Sequence, residues 1–413
     1  MRPLSRRSRY AISLAAAALL AAAPTPASPA TRPDGTGECT YPASSIPGRP
    51  WALQRVLLDQ LWQYGQGQGV RVAVIDTGVD NHNPQLRTAV DTRDGIDLID
   101  PKGDGTNDTV GHGSEVAGII AARPASGTGF VGIAPASTII PVRQNDEQGH
   151  GTSAGLADAI HKSVTAGAKV INISQDTAGT PGADTNLAQA VQYALNNDVV
   201  VVASAGNNGQ GGQLHTTYPA AYPGVLAVGA SDRDDERADF SQSGPFVGVA
   251  APGVDMVSTV PLGGQCVDNG TSFSAPYVAA VAALIRAKHP DWKQYQVVAQ
   301  IEQTADRTTP GRTNDLGWGV VDAVRALTDD AKPIDHPVPA PDAGPDGGRV
   351  EPAALTLGET AQHRAETIAT YAVGSAALLV AIIAGSAIVV RDAKRRRRSV
   401  KSAPPGEAAS SLP

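Results

Sequence analysis

Four short stretches carry residue types that could perform acyl-transfer chemistry together. In Gly270-Thr-Ser-Phe-Ser-Ala-Pro276, Ser272 lies between a small-residue turn and an apolar run, Ala275 to Ala287, which predicts a buried helix ending before Pro290. A hydroxyl at a helix start sits beside unpaired N–H groups and the positive end of the helix dipole, so negative charge developing there is stabilised. An ordinary N-cap serine shares that setting. The stretch therefore gains meaning only if the chain also supplies a base, an orienting acid and an oxyanion donor.

Each of these has a candidate. Gly111-His-Gly-Ser-Glu-Val-Ala-Gly118 sets His112 between two glycines at the head of a small-residue segment, so the ring can face open space and a substrate backbone can pass close. Val74-Ile-Asp-Thr-Gly-Val79 puts Asp76 at the end of a β-branched run, where a carboxylate could accept from a ring nitrogen and fix the histidine tautomer. Asp-Thr-Gly also marks enzymes built on two carboxylates sharing a proton, but it occurs once here. In Ala203-Ser-Ala-Gly-Asn-Asn-Gly209 the Asn207 amide could donate to the oxygen of a tetrahedral intermediate. Its neighbour Asn208 competes for the role, and either could be a plain turn residue.

Positioning four such groups needs a rigid frame. Gly69–Ile75, Ile139–Val142, Lys169–Ile173, Val199–Ala203 and Val225–Val228 are short apolar runs of the kind buried on both faces of a sheet. Between them, Leu187, Ala190, Val191, Ala194 and Leu195 follow a helical period. The alternation predicts an α/β fold with a mainly parallel sheet covered by helices, whose strand ends gather the active residues. With 41% hydrophobic residues the chain can fill such a core. The net charge of −7 hides an acidic middle, because the basic clusters sit at the two ends, Arg2 to Arg9 and Arg391 to Lys401. That placement argues against a nucleic-acid surface.

The ends predict a membrane-bound layout. Residues 1–30 read as a signal peptide, with four arginines before the apolar run Ala11 to Ala23. Residues 31–50 form a Pro- and Gly-rich arm holding Cys39. The only other cysteine is Cys266, and two cysteines in an exported chain are expected to pair, clipping the arm beside Ser272. The folded domain is expected over 51–326 and a Pro/Gly-rich linker over 327–366. An uncharged span follows over 367–390, long enough to cross a bilayer, and then a basic tail over 391–413. Positive charge flanking the span predicts a cytoplasmic C-terminus and a domain on the other side. Asp91, Asp94, Asp97, Asp100, Asp104 and Asp108 could include carboxylates for Ca²⁺, but they lack EF-hand spacing and read better as a solvated loop. No cofactor or metal is expected.

The order Asp76, His112, Asn207, Ser272 resembles the subtilisin-like serine proteases, over roughly residues 51–326. The resemblance implies a three-layer sandwich around a mainly parallel sheet. It also implies an acyl-enzyme mechanism with Asp76 orienting, His112 as base and acid, Ser272 as nucleophile and Asn207 as oxyanion donor. Gly149, His150 and Gly151 match the family's substrate-edge segment. An extended protein or peptide substrate is expected between them and Ser174, Gln175 and Asp176. The family usually has glycine where Asp176 stands, so its broad specificity does not carry over. The arm before Trp51 is too short for the folded propeptide usual in subtilisins. With Asn-Ile-Ser-Gln at 172–175, a proline-rich linker and one C-terminal span, the layout looks like the mycosins, membrane-anchored proteases of actinobacterial type VII secretion systems. Association with a membrane secretion complex, and cleavage of few substrates, is what that resemblance implies. A scaffold in which proteolysis is secondary, and a general degradative protease, are the alternatives.

Overall fold

The computed structural model describes residues 39–175, 185–212, 214–340 and 361–401. The signal peptide, the first part of the arm, Asp176, the middle of the linker and the end of the tail lie outside them. The chain divides into two units, 1–342 and 343–413.

In the first unit the elements run α1 (Trp51–Arg55), α2 (Leu58–Leu61), β1 (Arg71–Asp76), β2 (Ile96–Asp97), α3 (His112–Ala121), β3 (Thr138–Arg143), α4 (Ser153–Thr165), β4 (Val170–Ile173) and α5 (Thr185–Asn196). There follow β5 (Val200–Ser204), β6 (Leu226–Ser231), β7 (Val247–Pro252), β8 (Met256–Thr259), β9 (Gln265–Asp268), α6 (Thr271–Lys288), α7 (Gln294–Thr304) and α8 (Ala323–Thr328). Seven strands form one sheet in the order β2-β3-β1-β4-β5-β6-β7, every neighbouring pair parallel. The five apolar runs anticipated as strands are five of these seven. The other two are harder to see in the sequence. The edge strand β2 is two residues long, and β7, Val-Gly-Val-Ala-Ala-Pro, is interrupted by glycine and ends in proline.

Residues of β4 and β5 are buried on both faces, as a sheet covered on both sides requires. One face packs a core with Val116, Ile120, Val278, Val281 and Leu284 from α3 and α6. The other packs Leu156, Ile160, Leu187 and Val191 from α4 and α5. Helix α6 is buried nearly all round, because its small residues let it lie against the sheet with no solvent face. The pair β8–β9 is a separate antiparallel hairpin. It fastens to α3 through Thr259 Oγ1 donating to Ser114 O at 2.9 Å and Ser258 Oγ donating to Glu115 O.

The arm is tied to this hairpin. Cys39 and Cys266 form a disulfide with Cα atoms 6.2 Å apart, closing 227 residues. Ala43 N donates to Gly263 O at 3.0 Å, and Ile46 N to Gln265 Oε1 at 2.8 Å. In the second unit one helix, α9, spans Ala361–Lys401, and its segment Ile368–Arg395 is long and apolar enough to cross a membrane.

Candidate active site

The parallel sheet sends the C-terminal ends of β1, β4 and β5 to one edge, where α3 and α6 begin. Asp76 is the last residue of β1 and is fully buried. His112 opens α3, whose first turn crosses directly over the β1 turn. A β-carbon on Gly113 would lie 1.9 Å from Gly78 O, so only glycine permits that approach. The crossing brings His112 Nδ1 to 2.8 Å from Asp76 Oδ1. Thr77 N also donates to that oxygen at 2.8 Å. A ring nitrogen facing a carboxylate carries the proton, which leaves Nε2 as the acceptor facing the cleft.

Behind this pair lies a carboxylate that the sequence reading assigned to a solvated loop. Asp108 is buried and accepts four hydrogen bonds, from Thr77 Oγ1, Gly111 N, Ser114 N and Ser114 Oγ. Burial holds its carboxyl above the ordinary carboxylate range despite those donors. Asp108 fixes the start of α3, and Thr77 Oγ1 donates nothing further but accepts from Gly113 N at 3.0 Å. Asp97 is likewise no solvated residue. Its side chain is buried against Arg143, and its Oδ1 accepts from Ile99 N and Asp100 N. No group of three metal-ligating side chains with suitable spacing occurs among the described residues.

Ser272 stands in the first turn of α6. Pro276 has no N–H, so the Ser272 carbonyl loses its normal partner four residues on. Ser174, just past β4, fills that place: its Oγ donates to Ser272 O at 2.8 Å and accepts from Asn172 Nδ2 at 2.9 Å. Asn207 is held from the other side. Its Oδ1 accepts from Thr271 N and Thr271 Oγ1, both at 2.9 Å, which turns its amide nitrogen toward the serine. A β-carbon on Gly270 would lie 3.3 Å from Ser272 Oγ and 3.4 Å from Asn207 Nδ2. Glycine there keeps the space between hydroxyl and amide open. Asn208 has no such tether and does not line the cleft.

His112, Ser272, Asn207, Gly149, His150, Ser174 and Gln175 line one cleft of about 450 Å³. Gly151 lines an adjoining pocket. The His112 ring meets Phe273 edge-on at 5.6 Å between centroids. No hydrogen bond of the described residues joins His112 to Ser272 Oγ, and contacts of that kind tighten when substrate enters. Burial pushes the His112 imidazole down, but the charge and hydrogen bond of Asp76, with Glu115 and Asp108, push it up to about 9.

Two nearby features gave no recognisable sequence signal. Tyr41 of the arm donates from its hydroxyl to Val110 O at 2.6 Å, two residues before His112. Glu115, on the next turn of α3, is 6% exposed. Burial pushes its carboxyl up to about 8, opposed by His112 and reinforced by Asp268, Asp108 and Asp76. A lone Tyr and a lone Glu have no diagnostic spacing, and only the packing of arm, hairpin and helix brings them to the site.

Comparison with known proteins agrees with this geometry. Residues 67–319 match the model of the subtilase family, Peptidase_S8. Subtilisin Savinase of Lederbergia lenta is 38% identical over 278 residues, covering 67% of this chain and 98% of that protein. Subtilisin E of Bacillus subtilis is 37% identical over 279 residues, covering 67% and 71%. Among solved structures, the MycP3 protease of the type VII (ESX-3) secretion system superposes with a TM-score of 0.63 at 36% identity, over 70% of this chain and 91% of that one. MycP1 from Mycobacterium smegmatis gives a TM-score of 0.63 at 34% identity, over 73% and 89%. The chain belongs to the subtilase family: it is a subtilisin-like serine protease whose structural neighbours are the mycosins of type VII secretion systems.

Proposed function

We propose that Ser272 is the nucleophile of a peptide-bond hydrolysis that passes through an acyl-enzyme. Ser272 Oγ attacks the carbonyl carbon while His112 Nε2 takes its proton. Asp76 holds the ring in the tautomer that allows this and stabilises the imidazolium that forms. Asn207 Nδ2 donates to the oxyanion, and His112 returns the proton to the leaving amine. Water then enters by the same route and releases the acyl group. The single observation that carries this reading is the 2.8 Å contact between His112 Nδ1 and Asp76 Oδ1 at the wall of the cleft that Ser272 and Asn207 share. Substrate lies extended between Gly149-His150-Gly151 and Ser174-Gln175, an arrangement supported by Gly149, His150, Ser174 and Gln175 lining one cleft and Gly151 the pocket beside it.

The domain works outside the cytoplasm. Export by residues 1–30, anchorage by the 367–390 span and a cytoplasmic basic tail fit the charge pattern of the chain. The partner is a membrane secretion complex of type VII, a reading supported by the likeness to MycP3 and MycP1. Mass spectrometry of a peptide library incubated with the full chain tests the chemistry. Wild-type protein should produce cuts that Ser272→Ala does not, and equal cutting by both would remove the assignment. Affinity purification of tagged full chain from its native membrane tests the partner. Recovery without secretion-complex components would refute it.

A further inference from the structure

The base and the nucleophile arrive at the cleft by separate routes, and one short piece of the arm touches both. His112 follows Thr109-Val110-Gly111, which leads into α3. Ser272 follows β9, which runs through Cys266 to Asn269-Gly270 and then into α6. On the arm, Cys39 is bonded to Cys266, on the strand that leads to the serine. Tyr41, next but one along the arm, donates its hydroxyl to Val110 O at 2.6 Å, on the segment that leads to the histidine. The spacing of hydroxyl and imidazole depends on how these two approaches are held.

The phenol rests directly on the residue before His112. Gly111 has a φ of 95°, and a β-carbon there would lie 2.0 Å from the Tyr41 hydroxyl oxygen and 2.4 Å from its Cζ. Gly111 is also held by Asp108, whose Oδ1 accepts its N–H at 2.8 Å. Burial, with the charges of Glu115, Asp108 and Asp268, pushes the Tyr41 phenol up to about 12, so it stays a donor at neutral pH. The arm behind it is fastened along its length. Gln265 N donates to Ser44 O at 3.2 Å, Thr128 Oγ1 donates to Ile46 O at 2.9 Å, and a β-carbon on Gly264 would lie 2.0 Å from Ala43 O.

We infer that Tyr41 is a positioning residue for the hydrolysis: held by the Cys39–Cys266 bridge, its hydroxyl fixes Val110-Gly111 and so the place of His112 relative to Ser272. The arm thereby clamps the strand that carries the nucleophile to the segment that carries the base. This inference rests on the triad reading proposed above. Proton transfer tolerates little error in that spacing, since a misplacement of about 1 Å can cost about 10²-fold in rate. Without the hydroxyl, Val110 O loses this donor and the segment ahead of His112 can move off the arm. Tyr41 does not line the catalytic cleft, so its loss should slow the chemical step and leave substrate binding as it is.

The test compares the full chain with Tyr41→Phe, which keeps the ring and removes only the hydroxyl. Rates are expressed per Ser272 that a fluorophosphonate labels at completion, so loss of folded protein does not enter. On every peptide kcat should fall about tenfold, the scale of one hydrogen bond, with KM changed by less than about twofold. The rate of fluorophosphonate labelling should fall by the same factor, because it reads attack by the serine without a peptide. Reducing the bridge of the wild-type chain with dithiothreitol, with both thiols counted, should also lower kcat, and reoxidation should restore it. In Tyr41→Phe the same reduction should add little, because both changes open one clamp. A Tyr41→Phe chain with wild-type kcat overturns the inference, as does a loss confined to KM or a reduced wild-type chain that works at full rate. If Tyr41→Phe does not fold, the reduction series decides alone. Wild-type protein that labels at no serine refutes the triad assignment itself, a result distinct from a variant that labels at wild-type speed.

Discussion

The two sides of the cleft are built differently. On the catalytic side, Asp108 accepts four hydrogen bonds, Asn207 Oδ1 accepts two, and the Ser272 carbonyl left open by Pro276 is filled by Ser174, while Asp76 Oδ2 is buried with no partner among the described residues. On the other side, few groups are tied: Gln175 Nε2 donates to Gln144 Oε1 at 2.6 Å and Gln144 Nε2 to Thr152 O at 3.2 Å. The difference follows from what each side must do. Acyl transfer demands donors and acceptors already in place, because reorganisation during reaction costs rate. Selection depends on contacts made away from the reacting bond. Damage to the first side should therefore lower rates on all peptides alike, and damage to the second should change which peptides are preferred.

The sharpest way to break this contrast is Ser272→Ala. Turnover should fall about 10⁶-fold on every peptide, the scale known for the triad of subtilisin itself, with the thermal unfolding midpoint preserved. Asn207→Ala should cost about 10²–10³ in kcat, again the scale of subtilisin's own oxyanion asparagine. Steady-state kinetics on several peptides should give equal losses. A change in preference instead would merge the two sides. Replacing Cys39 and Cys266 by Ser should lower stability by about 2–4 kcal/mol in urea unfolding, because the bridge restrains the unfolded chain as well as pinning the arm. Unaltered stability would mean that the arm's hydrogen bonds hold it without the bridge.

The smallest effect concerns Glu115. Its folded-state value, about 8, lies above the 4.5 of an exposed carboxyl, so the unfolded chain releases its proton first and stability falls as pH rises from 4.5 through 8. Glu115→Gln should be neutral at pH 4 and stabilising at pH 7, by at most about 3 kcal/mol. His112 gives a slope of the same sign, in a higher pH window. Raised to about 9, it contributes stability below pH 6.5 that is lost as pH passes 9. Because the base must be neutral to act, the acidic limb of kcat/KM should lie above pH 6.5. Above pH 8, where Glu115 is charged, the Gln variant should place that limb lower. A limb indifferent to Glu115 would mean that its charge does not reach the imidazole.

Much of the catalytic side was legible in the sequence, since Asp76, His112, Asn207 and Ser272 each sit in a short stretch whose glycines and apolar runs state the local geometry. The five apolar runs likewise declared the buried strands, because burial on both faces permits little else. Asp108 and Asp97 were misread as part of a solvated loop. An aspartate's partners are set by the backbone N–H groups and side chains folded around it, not by its neighbours in sequence. Gln175 stood out only by likeness of its segment, and Gln144, Asn145 and Glu115 did not stand out at all.

The sequence alone determined which groups could do chemistry and the type of frame that would carry them, because periodicity and turn residues act over a few positions. The tertiary structure decided which groups meet. The imidazole reaches its carboxylate only because α3 crosses β1 at two glycines, and the Gln144 and Asn145 N–H groups meet Asp76 O only because β3 ends beside β1. Contacts between distant segments depend on how sheet, helices and arm pack, and no local pattern of residues encodes that.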